Sequence, residues 1–261
     1  MYLEDFALPI VTDSAKTPSM LVVLIPSHFE AKTFVAGLDD QHESHIGGAD
    51  IVKGHAEKVE LTVGMIGMGP PHAPLRAETV IKEAGLRSTP KKVRGVILAG
   101  FAGALDPALK RGDIFVTAGA EYLLHLLPEA ERPPTARLLT LEKIAGTVAA
   151  KKELFERTSA QLCDMEQTYV AAVAKNLGVP FVGIRIVSDE ANEDLPADTL
   201  SQSYDQETGT YTPWKLAGHL TRNPFKTVPL ASFVRLLPPV RTRMSERLHT
   251  WLRQAGPRLF A

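Results

Sequence analysis

The sequence predicts an α/β fold, a sheet with parallel segments flanked by helices. Three observations carry this. Short apolar runs alternate with amphipathic stretches of helical spacing. The apolar runs are continuous, which indicates strands buried on both faces. Strand and helix signals take turns along the chain, the pattern of parallel connections.

MLVVLIPS (20–27) reads as a buried strand ending at Pro26 and Ser27. HFEAKTFVAGL follows it, with Phe29, Phe34 and Leu38 near helical spacing. VELTVGMIGMG (59–69) is a second strand entering a glycine-containing turn. HAPLRAETVIKEAG (72–85) is a helix stopped near Gly85. VRGVILAGFAGAL (93–105) predicts a third strand that enters a small-residue loop, and GDIFVTAG (112–119) a fourth. IAGTVAA (144–150) is read as a fifth strand leading into the helix KKELFERT. QLCDM is short and apolar ahead of a helix over 166–177, whose Tyr169, Val170, Val173, Ala174 and Leu177 line one face. Gly178 caps that helix, and VPFVGIRIVS (179–188) is the strongest strand signal in the chain.

The tail reads differently. TPWKLAGHL, VPLASFVRLL and RMSERLHTWLRQAG predict three short helices, and Met244, Leu248, Trp251 and Leu252 form an i, i+4, i+7, i+8 stripe. From Gly209 onward nine Lys or Arg residues accompany one acid, Glu246, so the first 208 residues hold 20 basic against 29 acidic side chains. The expected organisation is a main domain over 1–208 and a basic helical C-terminal extension over 209–261. The stripe is expected to pack on the main domain with basic stems pointing outward. A partner or membrane-surface contact through the basic tail is the alternative.

Composition narrows the function classes. The formal net charge of −1 provides no global field for nucleic acid or an anionic membrane. A single cysteine, Cys163, excludes an internal disulfide and fits a reducing compartment. The first 19 residues lack the basic start and apolar core of a signal peptide. No run approaches the roughly 18 apolar residues of a membrane span. The expectation is a soluble, cytoplasmic protein. The eight histidines are scattered without zinc spacing. There is no Walker A motif and no complete G-x-G-x-x-G, and SHFE is not a hydrolase elbow. No metal or organic cofactor is expected.

In open α/β sheets, ligands bind beyond the carboxyl ends of the strands. Ser27, Glu30, Met68, Phe101, Glu166 and Asp189 all fall near predicted strand exits. Asp164, Glu166, Arg185, Ser188 and Asp189 can therefore meet in one crevice.

DMEQTYVAAVAKNLGVPFVGIRIVSDEA (164–191) resembles the signature of the nucleoside phosphorylase superfamily that includes 5′-methylthioadenosine/S-adenosylhomocysteine nucleosidases. There, a Met-Glu pair starts a helix and R-x-x-S-D follows the next strand. GFAGALDPALKRGDIFVTAG (100–119) resembles the family's small-residue loop and following strand. LIPSHFEAKTF resembles its first strand with the glutamate after it, and GMIGMGPPHA its Gly-Met-Gly turn. The likeness covers about residues 20–195 and implies a three-layer mixed sheet flanked by helices.

The resemblance also implies roles. Breaking an N-glycosidic bond leaves a sugar with oxocarbenium character and a base that must be protonated as it departs. Asp189 matches the family's general acid, best served by a raised pKa in apolar surroundings, with Ser188 orienting it. Glu166 matches the ribose-binding glutamate, whose charge also stabilises a developing cation, and Met165 a residue packed on the sugar. Arg185 matches a residue near the water or anion site, with a strand-end salt bridge as the alternative. Phe101, Ala102 and Gly103 would line the nucleoside, and Val148 and Ala149 the base. Phe155 or Tyr122 could stack on the base, although core packing is the ordinary fate of such rings.

Phosphorolysis needs cations and donors around a phosphate. Many family phosphorylases have an Arg and a Ser where this chain has Leu98 and Phe101. The hydrolases place a glutamate after the first strand, where Glu30 stands. Both departures favour water as nucleophile, although Phe101 also replaces the small polar residue usual in hydrolases. His28, Lys32 and Arg76 could form an anion site of another kind. The expected function is hydrolysis of a purine nucleoside, with adenine as base and a modified 5′ position. Phosphorolysis and non-catalytic nucleoside binding are the alternatives. The family's 5′ pocket often involves a neighbouring subunit, so a homo-oligomer is expected.

Overall fold

The computed structural model describes residues 19–86, 92–119, 121, 125–202, 204–205 and 210–259. Its centre is a nine-stranded mixed sheet. Strands β1 (Ser19–Ile25), β4 (Val59–Met65), β5 (Lys92–Ala104) and β9 (Phe181–Asp189) run parallel at its heart. Strands β2 (Asp39–Ile46) and β3 (Ala49–Ala56) form an antiparallel hairpin that extends the β4 side. Strand β6 (Ile114–Ala118) pairs antiparallel with β9. The short β8 (Leu162–Asp164) pairs antiparallel with the far end of β5 and parallel with β7 (Leu138–Thr140).

The α-helices whose whole length falls among the described residues are α1 (His28–Ala36), α2 (His72–Leu86), α3 (Val148–Thr158), α4 (Gln167–Asn176), α5 (Ala197–Gln202), α6 (Pro213–Arg222) and α7 (Thr227–Leu259). A separate two-stranded ladder pairs Tyr204–Asp205 with Thr210–Tyr211.

The three layers follow from the side-chain period of a strand. In β1, Leu21, Val23 and Ile25 share one core with Phe34 of α1 and with Val240, Met244, Leu248, Trp251 and Leu252 of α7. Met20, Val22 and Leu24 share another with Ala77, Val80 and Ile81 of α2 and Val170, Ala171 and Ala174 of α4. Both faces of the strand are covered, which explains why its sequence is apolar without alternation.

Four sequence expectations change. The 39–56 hairpin had no predicted strand: every residue of β2 up to His45 is exposed, so DDQHESHI carries no apolar signal. Its charges also blunt the sheet edge. The turn uses Gly47 and Gly48, both with positive φ. The small-residue stretch after Gly100 is strand rather than loop, held to Ala104 by β9 on one side and β8 beyond it. IAGTVAA is not a strand. Thr147 accepts the Ala150 N–H and starts α3 at Val148. The tail's second and third predicted helices are one 33-residue helix, α7. Pro238 and Pro239 do not end it, because Leu237 and Val240 on either side are anchored in the core. Among the described residues, no helix is long and apolar enough to cross a membrane.

Candidate active site

Glu30 lies in the first turn of α1. Ser27 caps that helix, its hydroxyl oxygen accepting the Glu30 N–H at 3.2 Å. The same hydroxyl donates to Glu30 Oε1 at 2.8 Å, and the Phe101 N–H donates to Oε2 at 2.8 Å. The carboxyl is buried. Burial pushes its pKa up, against the pull of the Phe101 and Ser27 hydrogen bonds and the Arg185 charge. Gly100 permits this approach: a Cβ there would sit 2.8 Å from Glu30 Oε2.

Glu166 stands at the N-cap position of α4 but makes no side-chain cap. Asp164 takes that duty, accepting the Gln167 N–H at 2.9 Å. Glu166 is thereby released toward the β4–α2 turn, where the Gly69 N–H donates to its Oε1 at 2.9 Å. Gly69 has a φ of 66°, and a Cβ on it would come within 3.2 Å of the Met165 methyl. The Glu166 pKa is raised to about 8, first by burial and then by the neighbouring Asp164 carboxylate. Arg185 and the Gly69 N–H pull it down, and Glu30 pushes it up.

Asp189 ends β9 and is buried. Ser188 Oγ donates to its Oδ1 at 2.6 Å. Lys151 Nζ, itself fully buried, donates to Oδ2 at 2.7 Å. A Cβ at Gly103 would meet Asp189 Oδ2 at 3.0 Å, so the small residue lets the carboxylate lie against β5. Cys163 is beside it, its thiol pushed up to about 12 by burial and by the Asp189 charge, and therefore neutral.

Five strand ends thus bring Glu30, Phe101, Ala102, Gly103, Met165, Glu166, Ser188 and Asp189 into one neighbourhood, as the sequence predicts. Arg185 is also there, but turned inward. Its Nη1 donates to the Leu98 and Ile184 carbonyls, and its Nη2 to Asp164 Oδ2 at 2.6 Å. Its Nη groups thus make the salt bridge to Asp164 and two carbonyl contacts. Leu98 is fully buried in the α2-side core, so its side chain bears on packing rather than on the nucleophile. Phe101 meets the Phe29 ring edge-on with centroids 6.3 Å apart, and Arg241 of α7 lies 4.7 Å over the other ring.

The remaining candidate residues are placed as follows. Val148 and Ala149 are exposed in the first turn of α3, and the Val148 N–H donates to Asp194 at 2.7 Å. Phe155 packs against the core cluster of Leu105, Ala145, Ala160 and Cys163. Tyr122 lies outside the described residues. His28 pairs with Asp50 at 2.7 Å, Lys32 is exposed and Arg76 is buried. A cleft of about 260 Å³ opens between Gly146, Thr147, residues 195–199 and Lys226 and Pro229 of the tail. None of the three buried acids lines it. No group of three or more His, Cys, Asp or Glu with metal-site geometry occurs among the described residues.

Lys151 was not legible in the sequence. It sits beside Lys152 in a helix of ordinary charge pattern, and only the direction of its helix face separates the buried lysine from the exposed one.

Comparison with known proteins agrees with this fold. The chain is 27% identical over 203 residues to a 5′-methylthioadenosine/S-adenosylhomocysteine nucleosidase of Shewanella loihica, spanning 65% of this chain and 85% of that protein. The fold matches the same-named nucleosidase of Helicobacter pylori with a TM-score of 0.67 at 18% identity, covering 91% of this chain and 99% of the other. It matches the futalosine hydrolase of Helicobacter pylori with a TM-score of 0.66 at 18% identity, covering 90% and 97%. The sequence model of the phosphorylase superfamily matches residues 20–133 and 132–210. With most of the chain matched and the three acids gathered at the strand ends, this protein belongs to the phosphorylase superfamily.

Proposed function

We propose that this protein is a nucleosidase, cleaving the N-glycosidic bond of a purine nucleoside with water. The observation that carries it is the meeting of Glu30, Glu166 and Asp189, three buried carboxyl groups with different partners. Distinct environments allow one residue type to fill distinct acid, base and electrostatic roles.

As the C–N bond lengthens, its electrons go to the base and positive charge grows on the sugar. Asp189 gives a proton to the departing base, with Ser188 fixing the orientation of its carboxyl group. Glu166 hydrogen-bonds the ribose hydroxyls; donation from those hydroxyls favours its ionised form, which then offers negative charge to the oxocarbenium ion. Met165 packs on the sugar, and the small residues Ala102 and Gly103 leave room for the ring. Glu30, made more basic by burial, holds the attacking water and takes its proton.

Water rather than phosphate is supported by two features. Glu30 would repel an anion at the position where phosphate would have to stand. The Arg185 Nη groups are already bonded to Asp164 and two carbonyls. The names of the curated relatives support adenine as base and a thio-substituted 5′ position. The family likeness supports a homo-oligomer, and a single cysteine in 261 residues fits a cytoplasmic setting.

The test is base release from adenosine, methylthioadenosine, S-adenosylhomocysteine and inosine, each with and without phosphate. The expected result is adenine and free sugar without phosphate. Release only with phosphate, as sugar 1-phosphate, would mean phosphorolysis. Binding by calorimetry without any release would mean a nucleoside-binding protein.

A further inference from the structure

The Lys151 side chain is the one fully buried ammonium among the described residues. Its three N–H donors have three acceptors: Asp189 Oδ2 at 2.7 Å, the Glu190 carbonyl at 2.8 Å and the Glu193 carbonyl at 2.9 Å. Ser188 occupies the other Asp189 oxygen. In its ionised form the Asp189 carboxylate is therefore held at both ends, by a hydroxyl from its own strand and an ammonium from α3. Burying a lysine is costly, and replacing a buried ion pair by apolar groups is often neutral or stabilising. Stability alone gives little reason to place a lysine here.

We propose that Lys151 is the positioning residue of the proton donor, fixing Asp189 against the leaving base and stabilising the carboxylate left behind. Before the step, Asp189 takes a proton from solvent on Oδ1, the Ser188 hydroxyl turning to the Ala102 carbonyl 3.2 Å away. In the step, the C–N bonding electrons pass to the base and that proton moves to a ring nitrogen. Asp189 becomes an anion 2.7 Å from a fixed positive charge. A charge already oriented costs no reorganisation at that moment. The inference rests on the reading of Asp189 as general acid.

The experiment compares the wild-type protein, Asp189→Asn, Lys151→Met and Lys151→Gln on two substrates. One is methylthioadenosine, whose base needs a proton to leave. The other is 4-nitrophenyl riboside, whose nitrophenolate leaves without one. The readout is the ratio of the two kcat/KM values. Asp189→Asn is expected to lower it by about 10²-fold or more, the worth of a general acid. Lys151→Met is expected to lower it in the same sense by at least about tenfold, because it acts through that acid. Lys151→Gln keeps a donor for the two carbonyls, and it reads the same ratio should the Met variant fail to fold.

An unchanged ratio in Lys151 variants, with Asp189→Asn behaving as expected, would overturn the proposal and leave the hydrolytic reading standing. So would equal losses on both substrates, the mark of a lysine that merely props the 190–193 loop. A wild-type ratio in Asp189→Asn, or no turnover of either substrate by the wild-type protein, would overturn the acid assignment itself and the proposal with it.

Discussion

Arg185 Nη2 and Asp164 Oδ2 lie 2.6 Å apart, with neither side chain exposed to solvent. Asp164 also accepts the Thr140 hydroxyl at 2.8 Å and caps α4 through the Gln167 N–H. One carboxylate thus ties β7, β9 and α4 together beside Glu166. Arg185→Met would leave Asp164 buried without its countercharge, a change that typically costs about 3–5 kcal/mol. Urea unfolding should show this loss. Arg185→Lys should recover only part of it, because a lysine cannot present the planar fork that reaches two carbonyls and a carboxylate.

Glu166 couples stability to pH. Its folded carboxyl holds a proton up to about 8, whereas an unfolded glutamate releases it near about 4.3. The folded state therefore binds more protons between these values. This contribution is fully present below the unfolded value and is lost as pH rises through about 8. The slope approaches about 1.4 kcal/mol per pH unit for one such group. Denaturant midpoints of Glu166→Gln should fall less steeply than wild type over that window. Glu30, shifted in the same direction, keeps part of the slope in the variant.

What could be read in advance follows the same physics. The β1, β4, β5 and β9 strands announced themselves because burial on both faces demands continuous apolar sequence. The β2 strand did not, since an exposed polar edge has no such demand. Gly100, Ala102, Gly103 and Ala104 looked like loop by propensity, and their strand conformation comes from pairing on both sides. The acids were legible because Met-Glu and Ser-Asp each flank a strand or helix end. Their partners were less so. Asp164 could have been found as an N-cap, three residues before an amide that needs one. Lys151 left no such trace.

The α7 helix offers a test of packing within one element. Leu248 is buried in the core that joins α7 to β1 and α1, and Trp251 and Leu252 lie beside it. Leu248→Ala should cost about 2–5 kcal/mol, the range for emptying a buried leucine site. Val234, on the exposed part of the same helix, is 39% accessible. Val234→Ser should change stability by no more than about 0.5 kcal/mol. Thermal melts of the two variants distinguish a tail integrated into the core from one that merely rests on it. Equal small effects would contradict integration.

Gly100→Ala tests the Glu30 geometry. Alanine suits a strand at least as well as glycine, which pays more backbone entropy on folding. The added Cβ, however, would lie 2.8 Å from Glu30 Oε2 and 2.9 Å from the Pro26 ring. Pro26 is constrained by its own backbone, so its contact costs stability, whereas the carboxylate can swing away. That movement breaks the 2.8 Å hydrogen bond from the Phe101 N–H and displaces the group proposed to hold water. A displacement of this order can cost up to about 10²-fold in rate. The expected result is a kcat/KM loss of about 10–10²-fold for the folded protein, measured well below a melting temperature that the Pro26 contact lowers. Gly85→Ala is the control, because nothing lies within 4 Å of the new methyl. It should leave the rate alone. If Gly100→Ala also leaves it alone, Glu30 does not position the nucleophile.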